Sequence, residues 1–138
     1  MNYRIMTDAD RRCAWLWMNY RVKKFAGKDL PLFPFELLPE TGITAINSNQ
    51  EALAVAFLYI DKKAPIAVCG WCAANPENTL RASREAVETV LRKLPEYAKE
   101  CGAGYLLSTF GNRRINAMLR EIGFVYGEQA ETMLMRVK

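Results

Sequence analysis

The residues able to do chemistry are few, and one type is missing. The chain has no histidine, which removes Ser-His and Cys-His nucleophile pairs, imidazole metal ligands and a histidine general base. Acid-base work near neutral pH therefore falls to carboxylates, tyrosines, thiols, lysines or water. Among the four cysteines, Cys13, Cys69, Cys72 and Cys101, there is one close pair, Cys69-Gly70-Trp71-Cys72. Its spacing looks like a dithiol redox motif, but such motifs want the first cysteine at a helix N-terminus, where its pKa is lowered. Here the pair sits in a strand-like run, in which residues three apart point to opposite faces. Redox activity is disfavoured on that ground. A zinc site is disfavoured too, because Cys13 and Cys101 lack ligand spacing, and no metal is expected.

The bounds of the chain narrow the class. Its 138 residues suit one domain, 1–138, and a domain of that size buries roughly 70% of its unfolded surface, so it needs no disulfide staple. Arg4, Asp8, Asp10, Arg11 and Arg12 interrupt any apolar run at the N-terminus, so no signal peptide is read there. The longest apolar run, Ala52 to Ile60, is far short of the ~20 residues that span a bilayer. A soluble cytoplasmic protein with reduced thiols is expected, without a membrane partner. The net charge of +4 is mild and spread along the chain, which gives no support to a nucleic-acid partner.

The elements that must position any site follow from periodicity. Tyr3 to Met6 reads as a short strand, with Thr7 or Asp8 capping a helix whose buried face carries Trp15, Met18, Val22 and Phe25 and which ends at Gly27. Trp15 and Trp17 read as core or groove wall. Leu30 to Thr41, punctuated by Pro31, Pro34 and Pro39, reads as a loop with one short helical turn. Its aromatics Phe33 and Phe35 make it either a lid over the core or a substrate-side wall, and its Leu30 to Pro39 surface is a candidate for a protein partner. Gly42 to Asn47 and Ala52 to Ile60 read as a hairpin around Ser48 to Glu51, followed by Ile66 to Ala73 as a third antiparallel strand. In the middle strand Leu53, Val55, Phe57 and Tyr59 share one face and Ala52, Ala54, Ala56 and Leu58 the other, so a helix is expected close against the alanine face.

That helix is expected from Pro76 to Cys101, capped by Asn75, with Leu80, Val87, Leu91, Leu94, Ala98 and Cys101 on its apolar stripe and a kink at Pro95. A strand from Tyr105 to Phe110 follows, parallel to the one before the helix, because a strand-helix-strand unit crosses over on one sheet face. Asn112 caps a short helix with apolar Ile115, Met118, Leu119 and Ile122, closed by Gly123. Thr132 to Val137 reads as a last edge or hairpin strand.

This order, strand, helix, loop or second helix, three strands, helix, strand, helix, strand, gives an α/β (α+β) fold that resembles the GNAT (Gcn5-related N-acetyltransferase) superfamily over nearly the whole chain. Arg4, Thr7 and Asp10 sit at the spacing of the family's opening strand and helix cap. Asn112, followed eleven residues later by Gly123-Phe124, is similar to its closing helix motif. The resemblance implies transfer of an acyl group from acetyl-CoA to an amine acceptor that the sequence does not name. It implies that the backbone of Trp71, Cys72, Ala73 and Ala74 lines the pantetheine arm where two strands splay, that backbone N–H groups there polarise the thioester, and that the pyrophosphate sits at the start of the next helix. Asn112 would complete the CoA site.

Two departures accompany the resemblance. The family sets a glycine-rich turn, led by Arg or Gln, at that helix start, yet this chain has no glycine between Gly70 and Gly102. The family's glycine and small residue fall on Arg84 and Ala86, with Arg81 leading, or on Ser83 and Glu85. Side chains of Arg81, Ser83 and Arg84 are then the candidates for phosphate binding, against the plainer reading of both arginines as solvated surface. Arg113 and Arg114, at a positive helix end, invite a bound anion or simple screening by solvent. The second departure is Leu119, which stands where many family members place a tyrosine acid. Candidates for that role are Tyr126, Ser108 and Thr109, and for a base Glu36 or Glu51. The rival reading is a GNAT-fold binding or structural protein without turnover, similar to small bacteriophage-encoded proteins that also lack the glycine turn.

Overall fold

The computed structural model describes residues 1–25, 34–110 and 112–125. They form a mixed α+β fold of β1 (Asn2–Ile5), α1 (Asp8–Phe25), a single 3₁₀ turn (Phe35–Leu37), β2 (Gly42–Ile46), β3 (Ala52–Phe57), β4 (Tyr59–Ile60), β5 (Ile66–Cys69), β6 (Cys72–Ala74), α2 (Leu80–Glu100), β7 (Tyr105–Ser108) and α3 (Arg113–Ile122). The helix end at Gly27, the loop residues before Pro34, Tyr126 and the strand Thr132 to Val137 lie outside the described residues.

The strands form two sheets. One has the order β1-β2-β3-β6 and is antiparallel throughout. The other is β4-β5-β7, in which β5 and β7 run parallel on either side of the α2 crossover. The strands expected as continuous from Ala52 to Ile60 and from Ile66 to Ala73 are each broken, at Leu58 and at Gly70-Trp71. Leu58 N–H bonds Thr41 O at 3.0 Å, which carries the β2–β3 register one pair past Gly42 and Phe57.

Each sheet face carries its own core. On one, Ala45, Ala54, Ala56, Ala67 and Ala74 meet Ala86, Val90, Leu94 and Ala98 of α2, as the alanine pattern of β3 implies. On the other, Val55, Phe57 and Ala73 pack with Met6, Ala14 and Leu38, flanked by Trp15, Trp17, Met18, Phe35 and Trp71. Gly42, at the start of β2, is needed for this closeness, since a Cβ there would lie 2.6 Å from Ala56 O.

Helix ends and faces depart from expectation in identifiable ways. α2 begins at Leu80 rather than Pro76, because Thr79 Oγ1 accepts the Ala82 N–H and is its cap. Asn75 instead closes a turn, its side chain accepting from Glu77 N–H at 3.0 Å and its carbonyl from Asn78 N–H at 3.1 Å. Starting later, the helix leaves Leu80 70% exposed and buries Ala86, Val90, Leu91, Leu94 and Ala98. It runs on through Pro95, whose missing N–H deprives the Leu91 carbonyl of its helical donor. α3 is capped by Asn112, which accepts from Arg114 N–H and Ile115 N–H. It closes at Gly123, whose φ of 120° few other residues adopt without strain.

α1 is rotated by a buried carboxylate. Thr7 caps it, accepting from Asp10 N–H at 3.2 Å while Asp10 Oδ2 accepts from Thr7 N–H at 3.1 Å. Asp10 also takes Arg4 Nη2 at 2.8 Å and the Thr44 hydroxyl at 2.9 Å. The three residues of the opening motif thereby tie β1, α1 and β2 together. This places Asp10, Ala14 and Asn19 inward, so that Trp15 and Met18 are only half-buried. Burial opposes the charge of Asp10, but Arg4, the Thr7 N–H and Thr44 outweigh it and hold its carboxyl below the usual range. With the folded pKa depressed, the contribution is fully present above the unfolded value of about 3.9 and is lost as pH falls through the folded one. Urea titrations are expected to show that loss below about pH 4 in the native protein and not in Asp10→Asn. Asp10→Ala is expected to cost about 3 kcal/mol at neutral pH, since it strands Arg4 and the buried Thr44.

Candidate functional site

The break at Gly70-Trp71 is a one-residue register slip. Tyr59 stands opposite Val68, but Ala56 stands opposite Cys72, so three residues of one strand span four of the other. That extra residue is a β-bulge. Before it, β5 faces β7, with Cys69 O accepting Thr109 N–H at 3.3 Å. After it, Phe57 N–H bonds Trp71 O at 3.0 Å and Asn75 N–H bonds Leu53 O at 2.9 Å. Alternation in an antiparallel ladder then turns the N–H and C=O of Cys72 and Ala74 away from β3. β6 has no neighbour on that side among the described residues. β7 stops pairing at Ser108, so the edge of 72–74 that faces away from β3 has no strand partner among the described residues, and this open edge beside 109–110 is the candidate cleft.

The side chains around the bulge sort to two faces. Trp71 joins the α1-side cluster, its ring 5.3 Å edge-on from that of Tyr59, whose hydroxyl donates to Leu37 O. Arg11 holds the same loop, donating from Nη2 to Leu38 O at 2.6 Å and lying 4.3 Å over the Phe35 ring. Phe35 and Leu38 thus cover the core from this side, while Glu36 between them is exposed. Cys69 and Cys72 both fall on the α2 face. The expectation that they point to opposite faces is corrected by the bulge, which reverses the alternation between them. Burial pushes the Cys72 thiol up to about 12 against the opposing pull of Arg21, and burial raises Cys69 further, with Cys72 adding to it. Neither is a thiolate near neutral pH.

The candidate CoA residues are contiguous, but their roles are not equivalent. Backbone of Trp71 to Ala74 forms the cleft edge, and the Asn75 to Thr79 turn carries the chain directly into α2. There the N–H groups of Leu80 and Arg81 have no acceptor among the described residues, those of Ala82 and Ser83 being held by Thr79. Arg81, Ser83 and Arg84 lie inside the helix, so neither glycine alignment falls on a loop. Arg81 is 90% exposed and pairs with Glu85 at 3.2 Å. Arg84, Arg113 and Arg114 are exposed and have no acidic partner among the described residues. Asn112 spends its side-chain oxygen on capping α3. Glu36 lies on the opposite, α1 side, Tyr126 is outside the described residues, and Leu119 is buried. No group of acidic residues and cysteines able to hold a metal ion occurs among the described residues, and no described helix is long and apolar enough to cross a membrane.

No protein-family model matches the chain, and no curated protein sequence does. Solved structures do. An aminoglycoside acetyltransferase, meta-AAC0020, from an uncultured soil metagenomic sample in complex with sisomicin aligns over 99% of this chain and 96% of its own, at 11% identity and TM-score 0.63. The fold is GNAT-like. Aminoglycoside N-acetyltransferase AAC(6')-Iy in complex with CoA is similar over 99% and 100% of the two chains, at 12% identity and TM-score 0.61. AAC(6')-Ih from Acinetobacter baumannii matches over 99% and 100%, at 19% identity and TM-score 0.56. The sequence reading runs one continuous strand through the bulge and begins the helix four residues early, at Pro76 rather than Leu80, while the splaying of the two strands is what the resemblance implies. One signal for the bulge was present, the isolated Gly70 inside a strand pattern.

In the native protein a thiol reagent at pH 7 is expected to modify exposed Cys13 first, half-buried Cys72 more slowly, and to leave buried Cys69 untouched until unfolding. Mass-mapped modification of Cys69 within minutes would contradict the burial described. Thr79→Ala is expected to cost about 1 kcal/mol in urea titration as a lost cap, and Asn75→Ala less.

Proposed function

We propose that the protein is an acyl-CoA-dependent N-acyltransferase, carrying acetyl from acetyl-CoA to an amine. The observation that carries this reading is the candidate cleft behind the bulge, where the backbone groups of Cys72 and Ala74 that face away from β3 have no strand partner among the described residues. An extended arm bearing amides satisfies such an edge in the way a neighbouring strand would. Cys72 and Ala74 N–H groups also offer fixed donors for the oxyanion formed when an amine attacks the thioester carbonyl. The helix start at Leu80 and Arg81 favours an anion through its N–H groups and dipole, with Arg84 on α2 and Arg113 and Arg114 on α3 as cations that have no acidic partner among the described residues. The likeness to a CoA-bound acetyltransferase supports the same use of the cleft.

The chemistry asked of the side chains is modest. The attacking nitrogen loses a proton and the departing CoA sulfur gains one. With Leu119 at the tyrosine position and no histidine, the reading assigns acceleration chiefly to proximity and to the backbone donors, with Glu36 and Tyr126 as the base and acid still to be tested. A second reading, a GNAT-fold binding or structural protein without turnover, is favoured by the same Leu119 and by Arg81 being engaged with Glu85.

Calorimetric titration with acetyl-CoA and with CoA separates the two. Micromolar binding, weakened at least tenfold by Arg81→Ala plus Arg84→Ala, is the expected result and would justify a screen of amine acceptors. No heat and no thermal shift at millimolar ligand would retire the transferase and turn the search to a protein partner for the Leu30 to Pro39 surface.

A further inference from the structure

We infer that Ser108 donates a hydrogen bond to the acyl donor, at a carbonyl of its pantetheine arm, an inference that rests on the cleft being a CoA site. Ser108 is the last residue of β7 in the ladder, opposite Cys69, and the Thr109 N–H to Cys69 O bond is the last backbone hydrogen bond between the two strands. Alternation along β7 puts it on the α2 face with Leu106 and Phe110, which pack against the α2-side core. Tyr105 and Leu107 are exposed on the other face. Cys72 and Ala74 stand on that same α2 face across the cleft. The Ser108 hydroxyl is buried and has no hydrogen-bond partner among the described residues.

An unpaired buried donor costs free energy that an apolar side chain of similar size would not. A stretch reading Tyr105-Leu106-Leu107 fills this strand with apolar groups up to the vertex and then sets a hydroxyl at the one position where the neighbouring strand is about to leave. An arm running from the start of α2 to the bulge passes along the α2 side of the cleft, with amide and thioester carbonyls as its acceptors. Thr109 cannot supply the same donor, because its hydroxyl lies on the opposite side, 3.4 Å from where a Cβ on Gly70 would stand. Among the described residues nothing accepts from this hydroxyl, and a turn of its side chain toward the open edge would bring it to an acceptor lying beside Cys72 and Ala74.

The test compares the wild type with Ser108→Ala and Ser108→Thr, by calorimetric titration with CoA and by thermal unfolding without ligand. Ser108→Ala is expected to weaken CoA about 2- to 10-fold, the range for one net hydrogen bond, while leaving the ligand-free melting temperature unchanged or higher. Ser108→Thr, which keeps the hydroxyl, is expected to retain the affinity. Unchanged CoA binding in Ser108→Ala overturns the assignment. So does an equal loss in both variants, or a ligand-free melting temperature lowered by several degrees in Ser108→Ala, which would mean the hydroxyl was already bonded within the protein. A wild type that binds no CoA retires the transferase reading and this assignment with it, whereas binding that Ser108→Ala retains retires the assignment alone.

Discussion

One extra residue between Val68 and Cys72 determines what the sheet can do. Without it the strand from Ile66 to Ala74 would keep a single alternation, and β7 could pair along its whole length. With it, the groups that face β7 up to Cys69 are succeeded by groups that face β3 from Trp71 onward. The parallel ladder with β7 therefore has to end where it does. The slip also sends Trp71 to the α1 face and both Cys72 and Ala74 to the α2 face. A bulge leaves one residue unpaired and sharpens local twist, so the opening of the cleft and the turning of its wall have the same cause.

The slip would be of little use if α2 did not hold its N-terminus beside it, and that depends on small side chains. Ala54, Ala56 and Ala74 on the sheet and Ala86 on the helix are all nearly or fully buried, which lets the helix axis approach closely at the end where the cleft lies. The bulk lies on the other face, where Val55 and Phe57 are fully buried and each contributes about 1.5 to 3 kcal/mol. Replacing an alanine of the helix face by a larger residue would push α2 outward and cost about 1 to 3 kcal/mol in strain. The Asp10 cluster does the equivalent on the α1 side, since it fixes the rotation of α1 and through Arg11 the loop that covers Phe57.

Much of this was legible in the sequence, and what was not has a common physical origin. The alternation in β3 gave the correct helix-bearing face, and the spacing of Arg4, Thr7 and Asp10 marked groups that do bond one another. Asn112 and Gly123 cap α3 as expected. The misreadings cluster between Gly70 and Leu80. Period-two alternation cannot show where one residue has been added, because Ile66 to Ala74 is apolar or small on both faces and either register looks acceptable. Asn75-Pro76 and Thr79 are each competent caps, and only the turn closed by the Asn75 carbonyl and side chain decides between them. Neither the pairing limit of β7 nor the stranded Ser108 hydroxyl is local enough to be read from a window of sequence. The site is thus less legible than the fold because it is made by a break in regularity.

The absence of a glycine turn before α2 changes how a phosphate would be held there, and the helix geometry says how. A glycine-rich turn lets backbone amides approach an anion without intervening side chains. In this chain the free amides belong to Leu80 and Arg81, whose Cβ atoms tilt toward the helix N-terminus and so flank any anion that the amides attract. Leu80 offers only obstruction. Arg81 exchanges obstruction for charge, at the expense of its pair with Glu85, a contact between exposed groups worth no more than about 1 kcal/mol. Arg84, Arg113 and Arg114 have no such pair among the described residues. On the proposed reading, recognition at this end would shift from the short-range geometry of a nest of amides to guanidinium contacts. Such contacts are bidentate when they form, but they pass through solvent and are screened over about 8 Å at physiological salt. A cradle of this kind would hold an anion less rigidly than a glycine turn, so on the proposed reading the backbone behind the bulge would have to do more of the orienting.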